Sequence, residues 1–263
     1  MMGQGGAVDW LRESRQFDRM ADYYDRFRPV YPEALVDALA REAGLRPGSR
    51  VLEAGAGSGK ATAQLAARGY AVDCVEPGEA LCRAGRARFA GKAVTFTAAR
   101  FEEYMPEEGA YDLVFCAQAW HWVGQPGGWR AAARALRPGG SLGILYNLAV
   151  FPDGAEGREL ADLNARCGMG GMAPEAAEGR VAALARDMED SGLFSAPRIF
   201  REMWRQDFTA DGYYGLALTG NSFVQRDDAA KEAARQEIAR LAESRGGAIQ
   251  QPYLAALHVA GKR

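Results

Sequence analysis

Apolar and polar positions along this chain recur in two rhythms. Residues 33–44, EALVDALAREAG, place Leu35, Ala38, Leu39 and Glu42 at the spacing of a helix, with Gly44 as its stop. The turn RPGS leads into RVLEAG, a short apolar strand, and KATAQLAARG is a second helix that runs into glycine. YAVDCVEP reads as a strand closed by proline, GEALCRAGRARFAG as a helix and AVTFTA as a strand. YDLVFCA, behind the acidic turn PEEGA, is the next strand. PGGWRAAARALRPGG follows as a helix stopped by Pro-Gly-Gly, and SLGILYNLAVF as a strand. Alternation from about residue 33 to residue 150 predicts βαβ units, a doubly wound and mostly parallel sheet with helices on its faces.

After Phe151 the rhythm changes. Residues 153–192 read as mostly helical, interrupted by GMGGMAP. IFREMWRQDF reads as a strand, DDAAKEAARQEIARLAESRGG as a long helix and IQQPYLAALHVAGKR as a final strand. The expected organisation is a helical cap over 1–32, an α/β core over 33–150 and a helical lid or insertion over 151–192. Residues 193–263 would complete the sheet and a pocket.

Composition narrows the function classes. A length of 263 residues suits one large domain, or one carrying an insertion, and 48% hydrophobic residues supply its core. No apolar run reaches the length of a membrane span. The opening MMGQGGAVDWLRESRQ lacks the apolar stretch of an export signal, so a cytoplasmic location is expected. Acidic and basic residues are mixed to a net charge of −2, with no basic run of the kind that tracks a phosphate backbone. Cys74, Cys82, Cys116 and Cys167 form no C-x-x-C pair, and with only His121 and His258 beside them no metal site is expected.

VLEAGAGSGKAT carries the most chemistry. Glu53, Gly55, Gly57 and Gly59 stand at alternating positions after a strand and before a helix, where a doubly wound sheet binds nucleotide-like ligands. Glycine lets the backbone turn tightly and approach a ligand without a Cβ between them. A phosphate-cradling G-x-x-x-x-G-K-[ST] loop fails at Ala54 and Ala61 although Lys60 is present. A dinucleotide G-x-G-x-x-G loop is met by Gly55 and Gly57 and broken by Lys60. Glu76, at the end of the next strand, stands where an acidic side chain accepts both ribose hydroxyls. That feature fits a dehydrogenase and a methyltransferase alike.

The E-x-G-x-G-x-G form, with Thr62 behind it, resembles the first motif of class I S-adenosylmethionine-dependent methyltransferases. FDRMADYYDRFRPVYP (17–32), AARFEEY (98–104), YDLVFCAQAWHWV (111–123) and LRPGGSLGILY resemble further segments of the small-molecule members, those like trans-aconitate and UbiE-type methyltransferases. The likeness runs over roughly residues 15–150 and returns at YLAALHVAGKR; Arg100 departs from it, standing where a small residue is common. It implies a Rossmann-like core that binds S-adenosylmethionine and releases S-adenosylhomocysteine.

Carried over residue by residue, the resemblance assigns Glu53, Gly55 and Gly57 to the methionine and ribose end of the donor. It gives Glu76 and Pro77 to the ribose, Phe101 and Glu102 to the adenine, and Ala117 and Gln118 to the methionine portion. Tyr24 and Arg28 would close over the donor, Arg28 as partner of its carboxylate; the alternative is an amphipathic helix packing on the core.

Methyl transfer from a sulfonium needs alignment and exclusion of water, and aromatic faces favour the nearby positive charge. Trp120 and Trp122 follow the fourth strand as candidate acceptor-site residues, with core packing as the alternative. His121 is a candidate general base, against a hydrogen-bonded structural role. The nucleic-acid amino-methylating segment N/D-P-P-Y is replaced by AQAWHW, and Cys116 follows Phe115 rather than the proline of a cytosine-C5 nucleophile. The expectation is therefore a methyltransferase acting on a small molecule, with no nucleic-acid or membrane partner, as a monomer or homodimer. An NAD-type oxidoreductase and a catalytically silent donor-binding subunit are the competing classes.

Overall fold

The structure, a computed structural model, describes residues 26–263. Strands β1 (Arg50–Ala54) and β4 (Tyr111–Ala117) are buried along nearly their whole length. Strands covered on both faces read as continuous apolar runs, and these two do. Around them the sheet is ordered β3 (Val94–Ala98), β2 (Ala71–Glu76), β1, β4, β5 (Leu136–Ala149), β7 (Ile249–Gly261), β6 (Arg198–Phe208). The first five pair in parallel, while β7 runs antiparallel to both β5 and β6. The edge strands β3 and β6 carry more exposed positions than these central strands. The expected α/β architecture is what the chain adopts.

Helices α1 (Glu33–Glu42), α2 (Lys60–Ala67) and α3 (Glu79–Arg88) cover one face; Leu35, Leu39, Leu65 and Cys82 pack with Val51 and Leu113. Helix α4 (Gly127–Ala135) covers the other, where Trp129 and Ala132 pack with Leu52 and Val114. Adjacent strand residues thus feed opposite cores, as the pleat requires.

The rest of the chain makes α5 (Ala155–Arg166), α6 (Pro174–Asp190), α7 (Ala210–Ala217), α8 (Asn221–Val224) and α9 (Asp228–Ser244). Leu160 of α5, Tyr213 of α7, Phe223 of α8 and Ile238 of α9 form a separate core with Phe208 and Ile249. Those two residues end β6 and begin β7, so this helical cap sits at the edge where the parallel strands finish. Helix α6 packs differently, setting Ala177 and Val181 on Leu148, Leu254 and Ala256 of the sheet.

Two local features depart from the sequence reading. Strand β5 begins at Leu136 rather than Ser141, because Leu136 pairs with Tyr111 and the register shifts before Leu113 meets Ser141. Helices α7 and α8 fall in the stretch 209–226, to which the sequence reading assigned no element; α7 is started by Thr209, whose Oγ1 accepts from Gly212 N–H at 3.1 Å.

Candidate active site

Ala54, Glu76, Ala117 and Ala149 end the four strands nearest the centre, and the turns after them converge below the helical cap. Between cap and sheet lies a cavity of about 700 Å³, within the range of small-ligand sites.

The glycine loop forms one wall. Gly55 has φ +66°, and a Cβ there would lie 2.4 Å from Ala119 Cβ, so the loop and the turn after β4 are in close contact. Gly57 also has positive φ, but a Cβ on it would meet nothing within 4 Å. Its open side belongs to the cavity lining. Glu76 fixes the loop from β2: Oε2 accepts from Gly57 N–H at 3.0 Å and Oε1 from Gly78 N–H at 2.9 Å.

Glu53 lies deeper, 1% exposed, and accepts from Thr62 Oγ1 at 2.6 Å. Burial pushes its carboxyl up to about 8, with the nearby Glu76 adding to the rise and the Thr62 bond opposing it.

Pro77, Phe101, Glu102, Ala117 and Gln118 all reach the cavity. Glu102 accepts from Arg100 Nε at 2.8 Å, so the arginine that departs from the family pattern engages the carboxylate expected at the adenine. Gln118 holds φ +61°, a sparsely populated conformation for a residue with a side chain. Its N–H bonds Leu145 O at 2.9 Å and its Nε2 bonds Asn147 O at 2.7 Å, which fixes that conformation. Arg28 lines the cavity from the segment before α1, donating to Thr219 O at 3.4 Å and accepting from Lys60 Nζ at its own carbonyl. Tyr24 lies outside the described residues.

The two tryptophans part company. Trp120, 3% exposed, packs on Phe101 and Trp129 and does not line the cavity, which corrects its place among the acceptor-site candidates. Trp122 and His121 do line it. Both belong to a 3₁₀ turn, Trp120–Trp122, whose three residues per turn send successive side chains in different directions.

Among the lining residues that sequence reasoning missed are Tyr146, Asn147 and Arg180. Tyr146 Oη accepts from His121 N–H at 3.0 Å and lies 3.4 Å from His121 Nδ1. Asn147 donates from Nδ2 to Val30 O at 3.1 Å and accepts from Trp204 Nε1 at 3.2 Å. A Tyr-Asn pair interrupting an apolar strand near its carboxyl end is a signal that the sequence offered. Arg180, on a helix of mixed pattern, offered none.

His121 is exposed at the cavity while its ring packs beside Trp122 and Tyr146. Burial and then the Arg180 charge push its pKa down to about 4, so the ring is neutral at pH 7. Burial raises the Tyr146 hydroxyl well above its ordinary value, and it too stays neutral.

Residues 51–140 match the family model described as a methyltransferase domain. The glycine loop and strands β1 to β4 thus lie in a segment similar to a methyltransferase domain. An uncharacterised methyltransferase of Mycobacterium tuberculosis is 37% identical over 134 residues, 51% of this chain and 53% of the relative. A protein-L-isoaspartate O-methyltransferase of Methylorubrum populi is 37% identical over 119 residues, 44% of this chain and 52% of the relative. The chain thus spans about half the length of the curated relatives it matches.

Solved structures extend the likeness in fold. A methyltransferase of Geobacter sulfurreducens in complex with S-adenosylhomocysteine superposes with TM-score 0.55 at 22% identity, covering 95% of this chain and 98% of that one. Phosphoethanolamine N-methyltransferase 2 of Haemonchus contortus gives 0.55 at 16% identity, covering 99% and 61%. The chain therefore shares its Rossmann-like fold with these structures well beyond the segment alike in sequence.

Proposed function

We propose that the whole chain is an S-adenosylmethionine-dependent methyltransferase that modifies a small molecule. Gly57 carries the reading: its backbone forms a wall of the cavity on which a side chain would have nothing to rest against. That is a cradle kept clear for a ligand that comes up to the main chain.

The surrounding donor set fits a nucleoside joined to an amino acid. Glu76 ends β2 with its carboxyl oxygens anchored by backbone N–H groups of the glycine loop and of the turn after β2, the position of an acidic side chain that accepts a vicinal diol. Phe101 offers an apolar surface, and the Glu102–Arg100 pair polar atoms, to a purine. Arg28 supplies a cation for an α-carboxylate. When bound, the donor would supply a methyl group on a sulfonium that the acceptor's electron pair displaces in line.

The chain's own residues orient and exclude water. Trp122 and Tyr146 present aromatic groups to the cavity beside His121. A ring with a pKa of about 4 takes up a proton poorly at pH 7, so His121 suits hydrogen-bonding of the acceptor better than general-base work. Lys60, which breaks the dinucleotide pattern, bonds the Arg28 carbonyl and so ties the entry segment to α2.

No helix among the described residues is long and apolar enough to cross a membrane. A cavity roofed by helices, rather than an open basic groove, favours a small acceptor over a nucleic acid. The test is incubation of the protein with methyl-labelled donor and a metabolite extract split into small-molecule and nucleic-acid fractions. Label should move into the small-molecule fraction only. Transfer confined to nucleic acid, or no transfer with donor bound, would contradict the proposal.

A further inference from the structure

The charged groups lining the cavity come from different parts of the fold. Its carboxyls, Glu53, Glu76 and Glu102, belong to the strand ends and turns assigned to the donor. His121, Trp122, Tyr146, Met169 and Met172 are uncharged lining residues, and Arg180 is, among the described residues, the charged side chain that acts on His121 and Tyr146. That arginine comes from α6, whose backbone is fixed by the burial of Ala177 and Val181 and by His258 Nε2 donating to Val181 O at 2.9 Å.

The Arg180 guanidinium makes no hydrogen bond or ion pair with any described residue. The nearest carboxylate in sequence, Glu178, is taken by Arg201 at 3.0 Å. An exposed guanidinium on a firmly packed helix, set at the cavity against His121 and Tyr146 with no described carboxylate bonded to it, is a fork open to an oxyanion. His121 and Tyr146, its charge neighbours, are both neutral, so neither competes with it for an anion nor neutralises it.

We propose that the methyl acceptor is a small organic oxyanion with an apolar body, and that Arg180 is the residue that selects it. The inference rests on the methyltransferase reading, which supplies the donor end against which the acceptor end is defined. A planar fork binds two oxygens of one carboxylate or phosphate group, and the Met169, Met172 and Trp122 surfaces take the rest of the molecule. Lysine would keep the charge and lose the fork.

The experiment is calorimetric titration of the full chain, saturated with S-adenosylhomocysteine. The probes are 4-phenylbutyrate and phenyl phosphate, each beside a neutral counterpart, 4-phenylbutyramide and phenol. At least one acid should bind about tenfold or more tighter than its neutral counterpart. Whichever acid shows the margin tells carboxylate from phosphate. Arg180→Gln should abolish the margin and Arg180→Lys should keep part of it, with S-adenosylhomocysteine affinity the same in all three proteins. Equal binding of acid and neutral probe, no acid binding at all, or a margin that survives Arg180→Gln overturns the proposal. Failure of S-adenosylhomocysteine to bind would instead strike the methyltransferase reading, and the same acid titrations on the free protein would still report on Arg180.

Discussion

Glu53 and Glu76 end neighbouring strands and both reach the cavity, yet their surroundings give them different chemistry. Glu76 is a carboxylate met by two backbone N–H groups, while Glu53 has one hydroxyl partner and almost no exposure. Because burial lifts Glu53 from its ordinary 4.5 to about 8, the folded state favours the neutral carboxyl. The stability this adds is complete below about pH 4.5 and is lost as the pH climbs towards 8. Glu53→Gln keeps a neutral polar group and removes that titration. Between pH 5 and pH 8 the melting temperature of the variant should gain on the wild type by about 3 °C or more, the scale of 1 kcal/mol for a chain of this size. Parallel melting curves across that range would show that Glu53 is not held neutral. The glycines and Glu76 were legible in the sequence because their spacing is tied to one backbone geometry. The separation of Trp120 from Trp122 was not, since W-H-W says nothing of which indole a 3₁₀ turn directs into the core.

Among the elements, the central strands were legible from runs such as YDLVFCA, whose burial on both faces leaves no room for alternation. The start of β5 was not, because the pairing of Leu136 with Tyr111 is a tertiary fact that overrides the helix-stopping look of RPGG. Nor was the role of Asn147, which joins three elements. From β5 it bonds Val30 in the segment before α1 and Trp204 on β6 through its side chain, and Gln118 after β4 through its carbonyl. Asn147→Leu keeps similar bulk and strands Val30 O and Trp204 Nε1 without partners. The unfolding free energy in urea should drop by about 1–3 kcal/mol, the scale of two part-buried hydrogen bonds lost. Affinity for S-adenosylhomocysteine should weaken as well, because the Val30 bond holds the segment that carries Arg28. An unchanged urea midpoint would mean that Asn147 is not a tie between these elements.

At the scale of the whole molecule, the 3-2-1-4-5-7-6 order brings the ends of β1, β2, β4 and β5 to one edge, and the chain after β5 supplies the roof. Alternation of helix and strand made the first half of that arrangement readable. The roof was less so: α5 joins α7, α8 and α9 in one core while α6 lies on the sheet, a division made by contacts distant in sequence. The central claim is that this edge binds S-adenosylmethionine through a glycine wall and a carboxylate, and not a nicotinamide dinucleotide. Isothermal titration of the wild-type chain and of Gly57→Val with S-adenosylhomocysteine and with NAD tests it most directly, each sample checked for folding by far-UV circular dichroism. The wild type should bind S-adenosylhomocysteine in the micromolar range, about −8 kcal/mol, and give no heat with NAD. The folded variant should bind neither, because a β-branched side chain at a positive φ would fill the space beside the loop and strain it. Binding of NAD without S-adenosylhomocysteine by the wild type, or undiminished S-adenosylhomocysteine binding by a folded Gly57→Val protein, would contradict the account.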